Sequence, residues 1–286
     1  MKPRRTPQEV LDAVPVSSRP VRPFDWRRTP GLSSLTALVF LFLYAPLVIL
    51  VVYAFNASNL TTVWAGFSLR WFERVAQNPQ IRDAALNSLL IAVSATVLST
   101  LIATLAALAL ERGRRFPGRD TVVGLIAMPL VVPEIVVAIT TLVFFSAIGL
   151  KLGLGNLIIA HTVFCIPFAL LPIQARLKDM GDAVETAARD LYAPEREIFR
   201  RITLPLLWPA ILSGAMLAFV TSLDDFLISM MVADAGATTL PVYIYGMMRL
   251  GVTPEVNAVS ALLLLISTIL VTFALIMTRR SGAEPV

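Results

Sequence analysis

Six long, mostly apolar stretches divide this chain, near 31–55, 86–110, 121–148, 155–175, 208–232 and 256–278. Segments of this kind have few ways to fold. About 20 apolar residues in a helix cross the hydrocarbon of a bilayer. Inside hydrocarbon only helices and closed barrels keep every backbone group hydrogen-bonded. A barrel would show ~10-residue segments of alternating hydrophobicity, and the sequence has none. Charged residues make up 15% of the chain, against about 25% in soluble domains. The expectation is an all-α integral membrane protein with six transmembrane helices. One membrane domain spans 31–280, between a polar tail at 1–30 and a short tail at 281–286, with no internal repeat and no extramembrane domain.

Basic residues orient these spans. The 1–30 tail carries seven Lys and Arg, the 111–120 loop four, the 176–204 loop six and the C-terminal end two. The opposite side carries only Arg70, Arg74, Arg82, Lys151 and Arg249. The positive-inside rule then places both termini and the 176–204 loop in the cytoplasm. This asymmetry accounts for the net charge of +5 without any nucleic acid; the surrounding partner is membrane lipid. Residues 1–30 are too hydrophilic for a signal peptide, so the first span reads as an uncleaved anchor.

Several chemistries lack their residues. There is no Gly-x-x-x-x-Gly-Lys-Ser/Thr phosphate cradle and no G-x-G-x-x-G turn. The single cysteine, Cys165, and the single histidine, His161, share one apolar span. That pair is too little for a metal site, and Cys165 reads as a buried small hydrophobe. No nucleophile–base set is evident, so no catalytic residue is assigned, and energy from ATP would have to come through another subunit.

Three acids stand out because ionisable groups inside a membrane are costly and mark pathways or pairs. Glu134 follows Pro129 and Pro133, which should kink span three. Asp224 and Asp225 lie in span five. From the span starts at Thr121 and Pro209, Glu134 and Asp224 are 13 and 15 residues in, or about 20 and 22 Å along straight helices. A wet passage lined by these acids would favour a cation and repel an anion. Adjacent helical residues point ~100° apart, so Asp224 and Asp225 face one passage only if the helix breaks. Otherwise one caps a broken helix, where Ser222 and Asp225 have capping-box spacing, or pairs with another subunit.

The other unusual stretch is ETAARDLYAPEREIFRRITLPLLWPAI, Glu185 to Ile211, within the loop 179–205. It reads as two short helices. Helical spacing puts Ala183, Ala187, Ala188, Leu191 and Tyr192 on one side of the first and Asp182, Glu185 and Arg189 on the other. The second starts at Pro194, has Ile198, Phe199 and Ile202 as its apolar edge, and ends at Pro205. Period alone allows an amphipathic connector on the bilayer surface.

This passage resembles the cytoplasmic "EAA" loop of ABC importer permeases: Glu-Ala-Ala, three residues, Gly, nine residues, Ile-x-Leu-Pro. Ala187, Ala188, Ile202, Leu204 and Pro205 match at that spacing, with Leu191 between. Thr186 stands at the Glu position, with Glu185 just before it, and Tyr192 replaces the Gly. An aromatic there implies either ordinary helical backbone or a reshaped contact. The likeness covers about 35–280. Within it, MPLVVPEI, SLDDFLIS and GATTLPVYIYGMMRLGVTPEVNA are similar to the spermidine/putrescine permease subfamily.

The resemblance implies a type I importer permease fold and a coupling loop that docks on an ATPase. It also implies three protein partners, a homologous second permease, an ATPase dimer and a periplasmic substrate-binding protein, with ATP and Mg bound by the ATPase rather than in this chain. The substrate implied is a polyamine, with ferric ion, thiamine-like or phosphonate-type solutes as alternatives within the class. Outside it, an ion-coupled secondary transporter and a membrane scaffold stay open.

Overall fold

The computed structural model describes residues 31–60, 63–113, 116–150, 153–234, 236–251 and 253–280. The tails read at 1–30 and 281–286 lie outside them. Among the described residues all regular structure is helical, apart from an isolated bridge between Asn56 and Phe67. Five helices are long and apolar enough to cross a membrane, and a bent pair makes a sixth span.

The described residues divide at Ile49 and Leu50. The first unit is most of α1 (Leu32–Ala54), apolar on every side, as a helix in lipid should be. The second unit is everything from Leu50 onward.

Its centre is a trio of helices: α3 (Pro79–Arg112), α6 (Leu154–Met180) and α9 (Leu204–Asp224). The α3 helix starts seven residues before the apolar run, because Asn78 caps it. The Asn78 side chain accepts from Gln80 N at 3.0 Å and Ile81 N at 3.4 Å, and Pro79 fixes the first turn. Its 34 residues extend about 51 Å, well beyond the hydrocarbon thickness. Span two is rich in Ala, Ser and Thr, a density that predicts a central helix, and small residues do fill the centre: Ala92, Ala95, Ser99, Ala103 and Ala107 are fully buried. Gly214 of α9 lies against the backbone of Ala169 in α6; a Cβ there would sit 2.5 Å from the Ala169 carbonyl oxygen.

A second cluster packs around the N-terminal end of α3. Trp71 and Val75 of α2 (Arg70–Gln77), Ile81 and Ala84 of α3, Leu240 and Ile244 of α11 (Leu240–Leu250), and Val256 and Val259 of α12 (Pro254–Arg280) pack together. Buried Asn56 organises the adjoining loop, donating to Val63 O at 2.7 Å and accepting from Ala65 N at 3.0 Å. Trp71 donates its indole N–H to Asn56 O at 2.8 Å. Asn87 and Ser88 of α3 hold the 236–240 segment: Asn87 donates to Gly236 O and Thr238 O, and Ser88 accepts from Leu240 N.

Span three is broken rather than kinked. Arg119–Ala127 (α4) continues as a 3-10 turn, Met128–Leu130, and α5 (Glu134–Ala147) then leaves at 106°. Pro129 and Pro133 cannot donate to the ladder, and together they stop it. Span five also breaks, between α9 and α10 (Leu227–Val232).

Pro205 does not end a helix, contrary to expectation. Glu195 to Asp224 run as one 30-residue helical stretch: α8 (Glu195–Ile198), a π turn (Phe199–Thr203), then α9. The wider π turn sets Pro205 at the start of α9, where its missing N–H is least disruptive.

The contact at Gly214 predicts that Gly214→Ala drives α6 and α9 apart at about 1–3 kcal/mol. Thermal unfolding in detergent should show a lower midpoint for this variant than for an alanine at Gly246, whose Cβ meets open space.

Candidate functional site

The two broken spans meet. α10 packs on α5, which brings the end of α9 beside the start of α5. Glu134, in the first turn of α5 and half-buried, reaches hydrogen-bonding distance of Asp225 and lies close to Asp224. A straight span three could not deliver this. The break, rather than equal depth along two helices, brings the three acids together.

Asp224 and Asp225 point differently. Asp225 leaves the helix with ψ 127 and turns inward, 4% exposed. Its carboxylate accepts from Ser229 N at 2.9 Å and Ile228 N at 3.3 Å, capping the first turn of α10. Asp224 stays exposed. The capping role falls to Asp225 itself, while Ser222 turns to another partner.

That partner is His161, which sequence reasoning set aside. His161 sits on α6, 1% exposed. Its Nδ1 lies 2.8 Å from Ser222 Oγ and its Nε2 3.1 Å from Ser229 Oγ, with Asp225 Oδ2 at 3.3 Å. One imidazole thus holds both sides of the break in span five from a neighbouring helix. No local motif announces this, because the partners are 61 and 68 residues away. The available signal was a lone histidine in an apolar span facing another span with two serines and two acids. Cys165, one turn further along α6, is fully buried against Ala218.

At the other end of the trio, the loop between α6 and α9 has the two expected helices with one face reversed. The first, α7 (Ala183–Asp190), turns Glu185 inward, and Glu185 is its only buried residue. Arg112, the last residue of α3, supplies the countercharge: its Nε lies 2.9 Å from Glu185 Oε2. Thr203 donates to Glu185 Oε1 at 2.9 Å. Thr186, Ala187, Leu191 and Tyr192 face outward, and Ala188 is half-buried. Ile202 and Leu204 are half-buried at the head of α9, beside exposed Pro205.

Tyr192 excludes one of the two alternatives for its position. It adopts left-handed backbone, φ 60, where glycine is normally required, so it is not helical. Tyr192 N donates to Arg189 O at 2.9 Å and Ala193 N to Ala188 O at 3.1 Å, the pairing of a Schellman C-cap. The tight turn is kept without glycine, and the ring stands 95% exposed. Arg189 Nε and Nη2 clamp Glu195 across this turn, at 2.6 and 3.2 Å. That hydrogen bond holds the Glu195 carboxyl below its ordinary range and raises the Arg189 guanidinium. The clamp is therefore formed at neutral pH, and its contribution is lost only as pH falls through the lowered Glu195 value.

Comparison with known proteins covers most of this architecture. Residues 99–282 match the family of binding-protein-dependent transport system inner membrane components. The chain is 38% identical over 244 residues to the spermidine/putrescine transport system permease protein PotC of Haemophilus influenzae, covering 85% of this chain and 95% of that protein. It is 39% identical over 243 residues to the putrescine transport system permease protein PotI of Escherichia coli strain K12, covering 83% and 86%. Among solved structures, a chain of the bacterial alginate ABC transporter in complex with alginate pentasaccharide-bound periplasmic protein superposes with TM-score 0.67 at 20% identity, covering 89% of this chain and 95% of that one. A chain of the inward-facing MetNI methionine ABC transporter gives 0.59 at 20% identity, covering 69% and 94%. These likenesses fix the fold as that of type I ABC importer permeases.

Replacing His161 by Ala strips Ser222, Ser229 and Asp225 of a shared buried partner, a loss of about 3 kcal/mol. Asp224→Asn, at an exposed position, changes stability by less than about 0.5 kcal/mol. Denaturant or thermal unfolding of the two variants in one detergent checks the contrast.

Proposed function

The chain belongs to the binding-protein-dependent transport system inner membrane component family, and from that premise we propose that it is the permease of an ATP-driven importer for a small organic cation of the polyamine type. Support for the substrate class comes from the names of PotC and PotI and from one observation on this chain. Two broken spans bring Glu134 and Asp224 to one place, beside an Asp225 already engaged with His161.

An acidic passage lowers the barrier for a cation by direct Coulomb attraction, strongest where water is scarce. A polyamine carries ammonium groups separated by methylenes, so it needs spaced carboxylates and apolar walls. Glu134 and Asp224 supply the former, and Phe226, tilted against Tyr245 at 4.8 Å, adds aromatic surface next to Asp224. In this reading Asp225 positions the break and the two less buried acids meet substrate.

The chain supplies path and coupling. A homologous second permease completes the passage, and a periplasmic binding protein delivers substrate from the side opposite the 179–205 loop. An ATPase dimer holds ATP and Mg on the cytoplasmic side and docks on α7, with Leu191 and Tyr192 as its outward apolar contacts. ATP-driven closure moves α7, the spans rock between inward- and outward-facing arrangements, and hydrolysis resets them.

Neutralising Glu134 and Asp224 to Gln and Asn tests the passage. Each change should raise the concentration for half-maximal putrescine uptake about tenfold, as expected for losing one charge-assisted contact. Unchanged uptake and apparent affinity in both variants would sink the assignment. Tyr192→Gly tests the dock. The turn should survive and relax by about 1 kcal/mol of left-handed strain, while substrate-stimulated ATP hydrolysis falls. Hydrolysis at the unmodified level would mean that the ring is idle.

A further inference from the structure

The helix α7 is attached to the membrane domain in an unusual way. Of its eight residues only Glu185 is buried; the others face water or are half-covered. It is bounded by two left-handed joints, Gly181 at φ 59 and Tyr192 at φ 60. An eight-residue helix between two such joints has little rigidity of its own with respect to its neighbours. At its surface Arg189 ties it to Glu195 of α8; inside, what fixes it is the Glu185 carboxylate.

That carboxylate meets three structural elements. Glu185 Oε2 pairs with Arg112 Nε at the end of α3, at 2.9 Å, with the two side chains 4% and 21% exposed. Arg112 also donates through Nη1 to Leu177 O at 3.3 Å and through Nη2 to Gly181 O, both at the end of α6. Glu185 Oε1 accepts from Thr203, the last residue of the π turn heading α9. The neighbouring Glu111 reinforces the same corner, accepting from Gln174 of α6 at 2.7 Å and pairing with Arg119 of α4 at 3.1 Å. Among the described residues, spans two, four and five, the central trio, therefore all end on a network that α7 enters through Glu185, while Arg189 ties it separately to α8.

We infer that the Arg112–Glu185 ion pair, with Thr203 as its third arm, is the strut that carries a displacement of α7 into spans two, four and five. The acid of this loop acts inward, as a positioning residue, and not as a group that binds the ATPase. A charged, mostly buried pair suits this task. The hydrogen bonds flanking the pair, from Arg112 to Leu177 O and Gly181 O and from Thr203 to Glu185, have fixed directions, and separating the two charges leaves one buried and unpaired, so the strut resists both stretching and sliding. A greasy contact of the same area would slide. This inference rests on the reading that α7 docks on an ATPase.

The test uses the complete complex in proteoliposomes, with ATPase and binding protein, and putrescine as probe. Glu185→Gln keeps the shape and removes the charge; Arg112→Met removes the opposite partner; Thr203→Val removes only the third arm at constant volume. Co-purification of ATPase and basal ATP hydrolysis should stay at the wild-type level in all three. ATP consumed per putrescine imported should rise about fivefold or more in Glu185→Gln and Arg112→Met, the range of ordinary coupling energies, and less in Thr203→Val. A bolt with a purely structural role would lower unfolding temperature without moving that ratio.

Two results overturn the inference: an unchanged ratio in every variant that assembles, or loss of ATPase from the Glu185→Gln complex, which would make the carboxylate a docking group. Should either charge variant fail to insert, Thr203→Val decides alone, because it leaves both charges in place. Failure of the functional reading looks different: the wild-type complex itself then imports no putrescine on addition of ATP.

Discussion

A helix broken inside hydrocarbon leaves backbone N–H and C=O groups with no water to bind, and most of this molecule is arranged around satisfying them. Span five can break at Asp225 because the freed N–H groups of Ile228 and Ser229 find the Asp225 carboxylate. The carboxylate in turn can be buried because His161 stands against it. His161 is fixed there by the packing of α6 on α3 and α9, which requires the small residues of α3 and the bare backbone at Gly214. The sequence of dependence runs from close helix packing, through a buried polar cluster, to a local break, and only then to acids gathered where two broken spans meet.

The two breaks differ in origin. In span three, Pro129 and Pro133 remove donors, so the ladder fails for lack of N–H groups, and carbonyls around the break accept shorter-range bonds instead, Leu125 O from Met128 N and Met128 O from Val131 N. In span five no proline stands near Asp225; the break is made by a polar side chain that offers the backbone a better partner than the next carbonyl. The first kind is rigid, because ring geometry enforces it. The second depends on interactions that can rearrange, and it lies in the helix continuous with the π turn that receives Glu185.

Much of this was legible in the sequence. The apolar runs located the spans because bilayer thickness fixes their length. Alanine and serine density marked α3 as central because close approach needs small side chains. Pro129 and Pro133 marked span three, although a kink and a 106° break look alike in a string of letters. The acids were singled out because charge in hydrocarbon is rare. Legibility ended where the deciding partner was far along the chain. Helical period put Asp182, Glu185 and Arg189 on one side of α7, yet of the three only Glu185 is buried; its direction was settled by Arg112, more than 70 residues earlier. His161 looked inert because none of its partners is local. Pro205 was read as a stop because proline normally ends a helix, and the π turn before it left no signature.

The left-handed Tyr192 has a consequence for the isolated chain. Its ring is 95% exposed, so it recovers no burial energy, and its φ of 60 is a conformation that glycine adopts at no steric cost. The two hydrogen bonds of the turn run from backbone N–H groups and would form equally well around a glycine. Folding by itself therefore gains nothing from an aromatic side chain at this tip, and stability alone would drive the position toward glycine.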